Sequence, residues 1–248
     1  MERSTEDRTG RAARETAGTE AIEVKVTVVE EDETNALRAF GLERKDGEPR
    51  RIFFYDTRGL ELYGRGVALR ARDKGGDECD STVKIRPVDP SRIAAKWRKE
   101  SGFKLEADVV GEKVVRSASF TVAQGREEID QVASGERPIA KLFSCDQEEF
   151  LGEMSPIGVD FAALVPLGPV EVLRWKTRHP GLPFELCLEE WRLPDGRDVV
   201  EISIKAKQPE AAVAEAALEA FLAEIGIEPE TRQQTKTLTA LDYFAGRI

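Results

Sequence analysis

Histidine is nearly missing from this sequence: 248 residues contain one, His179. A multi-histidine metal centre within the chain is thereby excluded. A Ser-His-Asp or Cys-His catalytic set would have to use that one residue. His179 stands in Arg178-His179-Pro180-Gly181, where Pro-Gly marks a turn, so a solvated turn histidine is expected rather than a catalytic one. Cysteine is scarce too. Cys79, Cys145 and Cys187 are odd in number, widely spaced and without a CxxC, which fits neither a disulfide framework nor a zinc site and suits a reducing cytoplasm. No apolar run approaches the ~18 residues of a membrane span. Residues 1–20 lack the apolar stretch of a secretory signal, and none is expected. Positive charge is in deficit, with 37 Lys and Arg against 47 Asp and Glu and a net charge of −10. That balance argues against a nucleic-acid partner and against docking to anionic lipid, while leaving room for a locally basic pocket. No GxxxxGK[ST] phosphate loop occurs.

What remains is rich in alternation. Residues 1–19 carry almost no large apolar side chain and are expected to be a disordered tail. Residues 20–248 read as a single domain with a mainly helical insertion near 124–168. The first strand has Ile22, Val24, Val26 and Val28 on one face and Ala21, Glu23, Lys25 and Thr27 on the other. A short helix is expected over 30–40, capped by Asp32 and stopped by Gly41. Further strands are expected at 51–57, 67–72, 81–86, 103–109, 114–122, 170–178, 184–192 and 198–207. Leu193-Pro194-Asp195-Gly196 forms the turn between the last two. Helices are expected at 127–134, 146–152, 208–224 and 235–244. The third carries an apolar stripe of Val213, Ala217, Phe221, Leu222 and Ile225, suited to core packing or to the face of a homodimer. Trp97, Trp175 and Trp191 are expected to pack in the core or at a rim.

The strands share an unusual polar face. Charges recur at alternate positions: Glu23 and Lys25; Arg70 and Arg72; Lys84 and Arg86; Lys104, Glu106 and Asp108; Arg174, Lys176 and Arg178; Glu185 and Glu189; Glu201 and Lys205. Two arrangements accommodate this. One is a single sheet with a solvated face laced by cross-strand ion pairs. The other is a closed barrel whose charged faces point inward, about wide enough at eight strands for one small ligand. Inward Arg and Lys need a polyanion to neutralise them, and inward carboxylates suit a hard divalent cation. That combination specifies a phosphate chain with Mg²⁺ or Mn²⁺.

Several stretches, in order, resemble the CYTH superfamily of triphosphate tunnel metalloenzymes. Phe54-Tyr55-Asp56-Thr57, Gly66 to Arg72 (GVALRAR) and Thr82-Val83-Lys84 resemble its YDT, ALR.R and T.K strands. Ile22-Glu23-Val24-Lys25 is similar to the end of its ExExK motif, Glu201 to Lys205 to its late acidic strand, and Gln234 to Leu241 to its closing helix. The resemblance runs over about residues 21–244. It implies an α+β fold, an antiparallel eight-stranded β-tunnel surrounded by helices. It also implies a metal-dependent hydrolase acting on inorganic triphosphate, thiamine triphosphate or a nucleoside triphosphate. Lys25, Arg70, Arg72, Lys84, Arg174, Lys176, Arg178, Lys205 and Lys236 would bind phosphate. Glu23, Glu189 and Glu201 would hold Mg²⁺ or Mn²⁺, and Glu23, Lys25 and Glu201 would carry the catalytic roles. Two family carboxylates are replaced, by Ala21 and Ser203. This leaves a second reading open, a non-catalytic triphosphate- or polyphosphate-binding protein. A third, adenylate cyclase, has no base-recognition feature in its favour.

Overall fold

Alternation of apolar and charged residues closes the sheet on itself. The computed structural model describes residues 16, 18–19, 21–28, 33–76, 78–110, 113–230 and 234–248. Nine strands form one barrel: β1 (Ala21–Val28), β2 (Glu48–Asp56), β3 (Val67–Asp73), β4 (Cys79–Ile85), β5 (Phe103–Val110), β6 (Lys113–Gln124), β7 (Val165–His179), β8 (Leu182–Arg192) and β9 (Asp198–Ala206). Their order around the barrel is β1-β5-β6-β4-β3-β2-β7-β8-β9, and β9 pairs back onto β1. The expectation of eight antiparallel strands is corrected twice. There are nine, and β1 runs parallel to β5, with Glu23 opposite Asp108. A parallel pair needs a long crossover connection. Here that connection contains β2, β3 and β4.

The apolar faces point outward. On one side, Ile22, Val24, Leu186, Leu188, Ile202 and Ile204 pack under α1 (Glu33–Ala39) and α5 (Ala211–Glu224). On the other, Leu69, Val83, Leu105 and Phe120 pack under α3 (Arg126–Ala133) and α4 (Cys145–Met154). The stretch expected to be helical thus supplies a cover for the outer faces of β3 to β6. Gln147, fully buried, fastens α4 to the barrel. Its Nε2 donates to the carbonyls of Ser81 and Phe120 at 3.1 and 3.2 Å, and its Oε1 accepts from Ser81 Oγ at 3.0 Å. The same residue closes a capping box with Ser144. In α5 the buried stripe is Ala211, Ala214, Leu218, Phe221 and Leu222. Val213, expected within it, is 63% exposed, because the stripe follows spacings of three and four from Ala211.

α6 (Lys236–Phe244) differs from the other helices. Its Ala240 and Leu241 pack against Ile52, Phe54, Val170, Val172 and Trp191, residues on the inner side of β2, β7 and β8. It therefore plugs one end of the barrel. Thr235 caps it, its Oγ1 accepting from Leu238 N at 3.3 Å. A one-turn α2 (Glu61–Gly64) follows β2. The side chain of Asp56 holds that turn by accepting from the backbone N–H groups of Leu62 and Tyr63, each at 2.9 Å. Gly66 follows at φ +81°, where a Cβ would meet the Arg86 carbonyl at 1.9 Å, so only glycine fits this crossing. Of the stretch read as a tail, only Thr16, Gly18 and Thr19 are described. Thr16 and Thr19 are buried, with Thr19 Oγ1 donating to Thr16 O at 2.7 Å. The Asp32 cap lies outside the described residues. Among the described residues no helix is long and apolar enough to cross a membrane.

Candidate functional site

The inner faces of all nine strands line one cavity of about 870 Å³. That volume falls within the usual range of ligand pockets. Its wall carries twelve Lys and Arg against five Asp and Glu, in a chain whose overall charge is −10. Positive charge is thus concentrated inside and negative charge outside, which focuses anions into the cavity.

Most of the residues expected at the site converge here. Glu23 and Lys25 come from β1, Arg70 and Arg72 from β3, Lys84 from β4, Arg174 from β7, Glu189 from β8, Glu201 and Lys205 from β9, and Lys236 from α6. Two do not. Lys176 and Arg178 are exposed and off the cavity wall, and Lys176 pairs with Glu185 at 3.5 Å. The reason is strand length. β2 pairs with β7 only as far as Glu48 opposite Arg174, and β8 pairs with β9 only from Leu186 onward. Beyond these points the β7–β8 hairpin projects past the barrel and its inner face is no longer inside. His179 lies at that hairpin turn, its Nδ1 accepting from Gly181 N at 3.1 Å. Trp97 and Trp175 are buried outside the cavity, while Trp191 lines it.

Within the cavity the charges form a graded network. Lys25 Nζ lies 3.1 Å from Glu23 Oε2 and 2.9 Å from Asp108 Oδ1, and Lys84 Nζ lies 3.1 Å from Asp108 Oδ2. Burial works against the charged form of Lys25, but Asp108, Glu23 and Glu201 outweigh it and raise its pKa well above normal. Burial likewise opposes ionisation of Asp108. Lys25 and Lys84 overcome it and hold that carboxyl far below the usual carboxylate range. Lys84 ends below its ordinary value, because burial exceeds the help of Asp108 and Lys25 adds repulsion. Arg72 forms a two-point bridge to Asp80, both contacts at 2.9 Å. Lys236 Nζ contacts Glu189 and lies 2.7 Å from Glu201 Oε1. Trp191 Nε1 donates to Glu189 Oε2 at 3.1 Å, and Ser203 Oγ donates to Glu23 Oε1 at 3.3 Å.

Arg70 is different. Its Nε is buried with no hydrogen-bond partner, as is the Nε of Arg50. Burial, with Arg72 beside it, pushes the Arg70 guanidinium down to about 9. A buried, unmatched cationic donor costs stability unless an anion meets it. Residues that sequence reasoning passed over also line the wall: Arg50, Tyr63, Arg65 and Lys113. Arg50 shares the inner face of β2 with Ile52 and Phe54, so the period-two rule carried the signal. The adjacent Arg51 masks it by facing the opposite way, toward Asp73 at 2.8 Å. Arg65 and Tyr63 sit on the α2 turn and just past it, where alternation gives no guide.

The carboxylates are not arranged as ligands for the expected Mg²⁺ or Mn²⁺. Among the described residues no three Asp, Glu, His or Cys side chains come together as a metal site. Glu23 contacts Lys25, and Glu189 and Glu201 both contact Lys236. As placed, these carboxylates hold ammonium groups, and they do not fit a divalent ion bound by protein oxygens alone.

No family model matches the sequence, and no curated protein sequence is significantly similar to it. Solved structures do match. An adenylyl cyclase candidate from Hippeastrum, with a dominant triphosphatase activity, is 19% identical with a TM-score of 0.65 over 92% of this chain and 97% of its own. An adenylate cyclase candidate from Bacillus halodurans is 15% identical with a TM-score of 0.63 over 89% of this chain and 97% of its own. At such identities the likeness establishes a shared fold, a closed β-barrel flanked by helices.

Proposed function

We propose that this chain is a CYTH-superfamily tunnel protein that binds the phosphate chain of a triphosphate compound and hydrolyses a phosphoric anhydride bond within it. The observation that carries the reading is the inward-facing excess of cations, with Arg70 Nε buried and unmatched. Multiple guanidinium and ammonium groups fixed around an enclosed channel recognise a compact polyanion. The triphosphatase activity of the Hippeastrum protein on the same fold supports hydrolysis as the reaction.

In this reading Arg70, Arg72, Lys84 and Lys236 contact phosphate oxygens and offset the charge that develops on the leaving group. Glu23, ionised and fixed by Ser203, orients a water on the terminal phosphorus. The water oxygen bonds to phosphorus as the bridging P–O bond breaks with its electron pair on the departing oxygen; one water proton stays on the released phosphate and the other passes to that oxygen. Since the carboxylates do not fit a protein-held Mg²⁺ or Mn²⁺, no step is assigned to one. The capture of those carboxylates by Lys25 and Lys236 favours a second reading, in which the tunnel binds a triphosphate or polyphosphate without turnover.

A phosphate-release assay with inorganic triphosphate, thiamine triphosphate, ATP and pyrophosphate separates the two. Release from a triphosphate, lost in Arg70→Ala, supports the hydrolase. Tight binding with no release leaves the binding protein. Absence of both rejects the tunnel as a phosphate site.

A further inference from the structure

Two pairs of carboxylates face each other across strand boundaries on the inner wall. Glu23 stands opposite Asp108 in the parallel β1–β5 pairing, and Glu189 stands opposite Glu201 in the β8–β9 pairing. Like charges in direct register repel and need a counter-cation between them. In each pair one cation touches both carboxylates, and it is a lysine; Lys84 further contacts Asp108 and Arg174 further contacts Glu189. Lys25 Nζ bridges Glu23 and Asp108 at 3.1 and 2.9 Å. Lys236 Nζ bridges Glu189 and Glu201. The two lysines reach their places by unrelated routes, one from the first strand and one from the first residue of the last helix. Trp191 secures the second clamp, its indole donating to Glu189 while its ring lies 5.1 Å from the Lys236 ammonium.

We infer that Lys25 and Lys236 saturate the carboxylates a divalent cation would need, so that the tunnel binds a phosphate chain as the metal-free anion. The inference rests on the proposed phosphate site and concerns the form of ligand that site takes. With its carboxylates occupied by ammonium groups, the wall offers a divalent ion no set of free oxygens. Arg65, Arg70, Lys104 and Lys113, which have no carboxylate of the described residues in ion-pair reach, add uncommitted positive charge to the wall beside Arg72, Lys84 and Lys236. A phosphate chain already coordinated by Mg²⁺ carries less negative charge and a bulky hydration shell, so it suits such a wall less well than the bare anion.

The test is calorimetric titration of the full chain with sodium tripolyphosphate, once in EDTA and once in excess Mn²⁺, beside an electron paramagnetic resonance titration of the phosphate-free protein with Mn²⁺. The inference expects binding in EDTA at least as tight as in Mn²⁺, and no bound Mn²⁺ signal without phosphate. Lys236→Met removes the ammonium shared by Glu189 and Glu201 and leaves Arg174, at 3.3 Å, as the cation on Glu189. It is expected to gain Mn²⁺ binding by about tenfold or more, equivalent to ~1.4 kcal/mol. Tripolyphosphate binding that appears only with Mn²⁺ overturns the inference and leaves the proposed function standing. Wild-type protein that binds Mn²⁺ alone as tightly as Lys236→Met also overturns it. No binding in either buffer removes the phosphate site itself. The wild-type titrations decide the matter even where Lys236→Met fails to fold.

Discussion

Lys25 and Asp108 form a 2.9 Å ion pair across the β1–β5 seam, the parallel boundary of the barrel. The same carboxylate takes Lys84 on its other oxygen at 3.1 Å. Asp108 therefore neutralises two of the cations expected to meet phosphate, and the seam that closes the barrel also regulates the charge available inside it.

Asp108→Asn should release that restraint. Tripolyphosphate affinity is expected to rise by roughly tenfold, since Lys25 and Lys84 each lose a competing carboxylate. Stability should fall by about 1–3 kcal/mol as two buried ammonium groups lose their partner in a partly wet cavity. Calorimetric binding and urea unfolding read the two effects separately. Lower affinity with unchanged stability would contradict this role.

Arg70→Ala should act the other way. An uncompensated buried cation disappears, so thermal stability is expected to hold or rise slightly, while phosphate affinity drops by about ten- to a hundredfold. A melting curve with and without tripolyphosphate measures both. The ligand-induced rise in Tm seen in wild type should shrink in the variant.

Stability should follow pH with two shoulders. Burial opposes ionisation of Asp108 and Glu189, yet Lys25 and Lys84 at the first, and Lys236 at the second, depress both carboxyls. A depressed carboxyl stabilises the fold above its unfolded value, near 4, and that contribution is lost as pH falls toward the folded value. Burial also opposes the charge on Lys25 and Lys236, but Asp108 and Glu23 at the first, and Glu189 and Glu201 at the second, raise both. A raised ammonium stabilises below its unfolded value, near 10.4, and the contribution is lost as pH climbs through the folded one. These four groups hold urea stability steady between about pH 5 and 10 and lower it on either side. Arg70, lowered to about 9 by burial, and Lys84, also lowered, act against the alkaline loss. In Asp108→Asn the acid limb should be shallower.

Gln147→Ala tests the cover of the barrel. It removes the side-chain hydrogen bonds to the Ser81 and Phe120 carbonyls and to Ser81 Oγ, and half of the α4 capping box. A loss of roughly 2–4 kcal/mol follows from those buried hydrogen bonds and the lost cap. In a chain of this size that lowers Tm by roughly 5–15 °C. Phosphate affinity measured below the transition should not change, because Gln147 lies outside the cavity.

The strands and the face each charge occupies were legible in the sequence, because both are local. Period-two alternation placed Arg70 and Arg72 apart from Leu69 and Ala71 without reference to anything else. What the alternation rule does not carry is length against a neighbour. Lys176 and Arg178 obey the same rule as Arg174 and still lie outside, since β2 stops at Glu48. The parallel seam was hidden for a similar reason. Nothing in β1 or β5 alone distinguishes a parallel from an antiparallel partner, and the choice is made by where β2 to β4 leave the chain. The lysine clamps depend on two pairings and a helix packed from the far end of the sequence. Ala21 and Ser203 signalled that the carboxylates were depleted, and Ser203 now supports Glu23 in place of a second acid.

The helix that plugs the barrel also delivers Lys236, so receptor and stopper are one element. A ribosome emitting this chain completes every strand before it releases that lysine. Until then Glu189 has Arg174 at 3.3 Å and Glu201 lacks the ammonium that the two carboxylates share in the finished barrel. The last ammonium of the proposed phosphate wall is thus supplied by the C-terminal helix, after every strand of the barrel has been made.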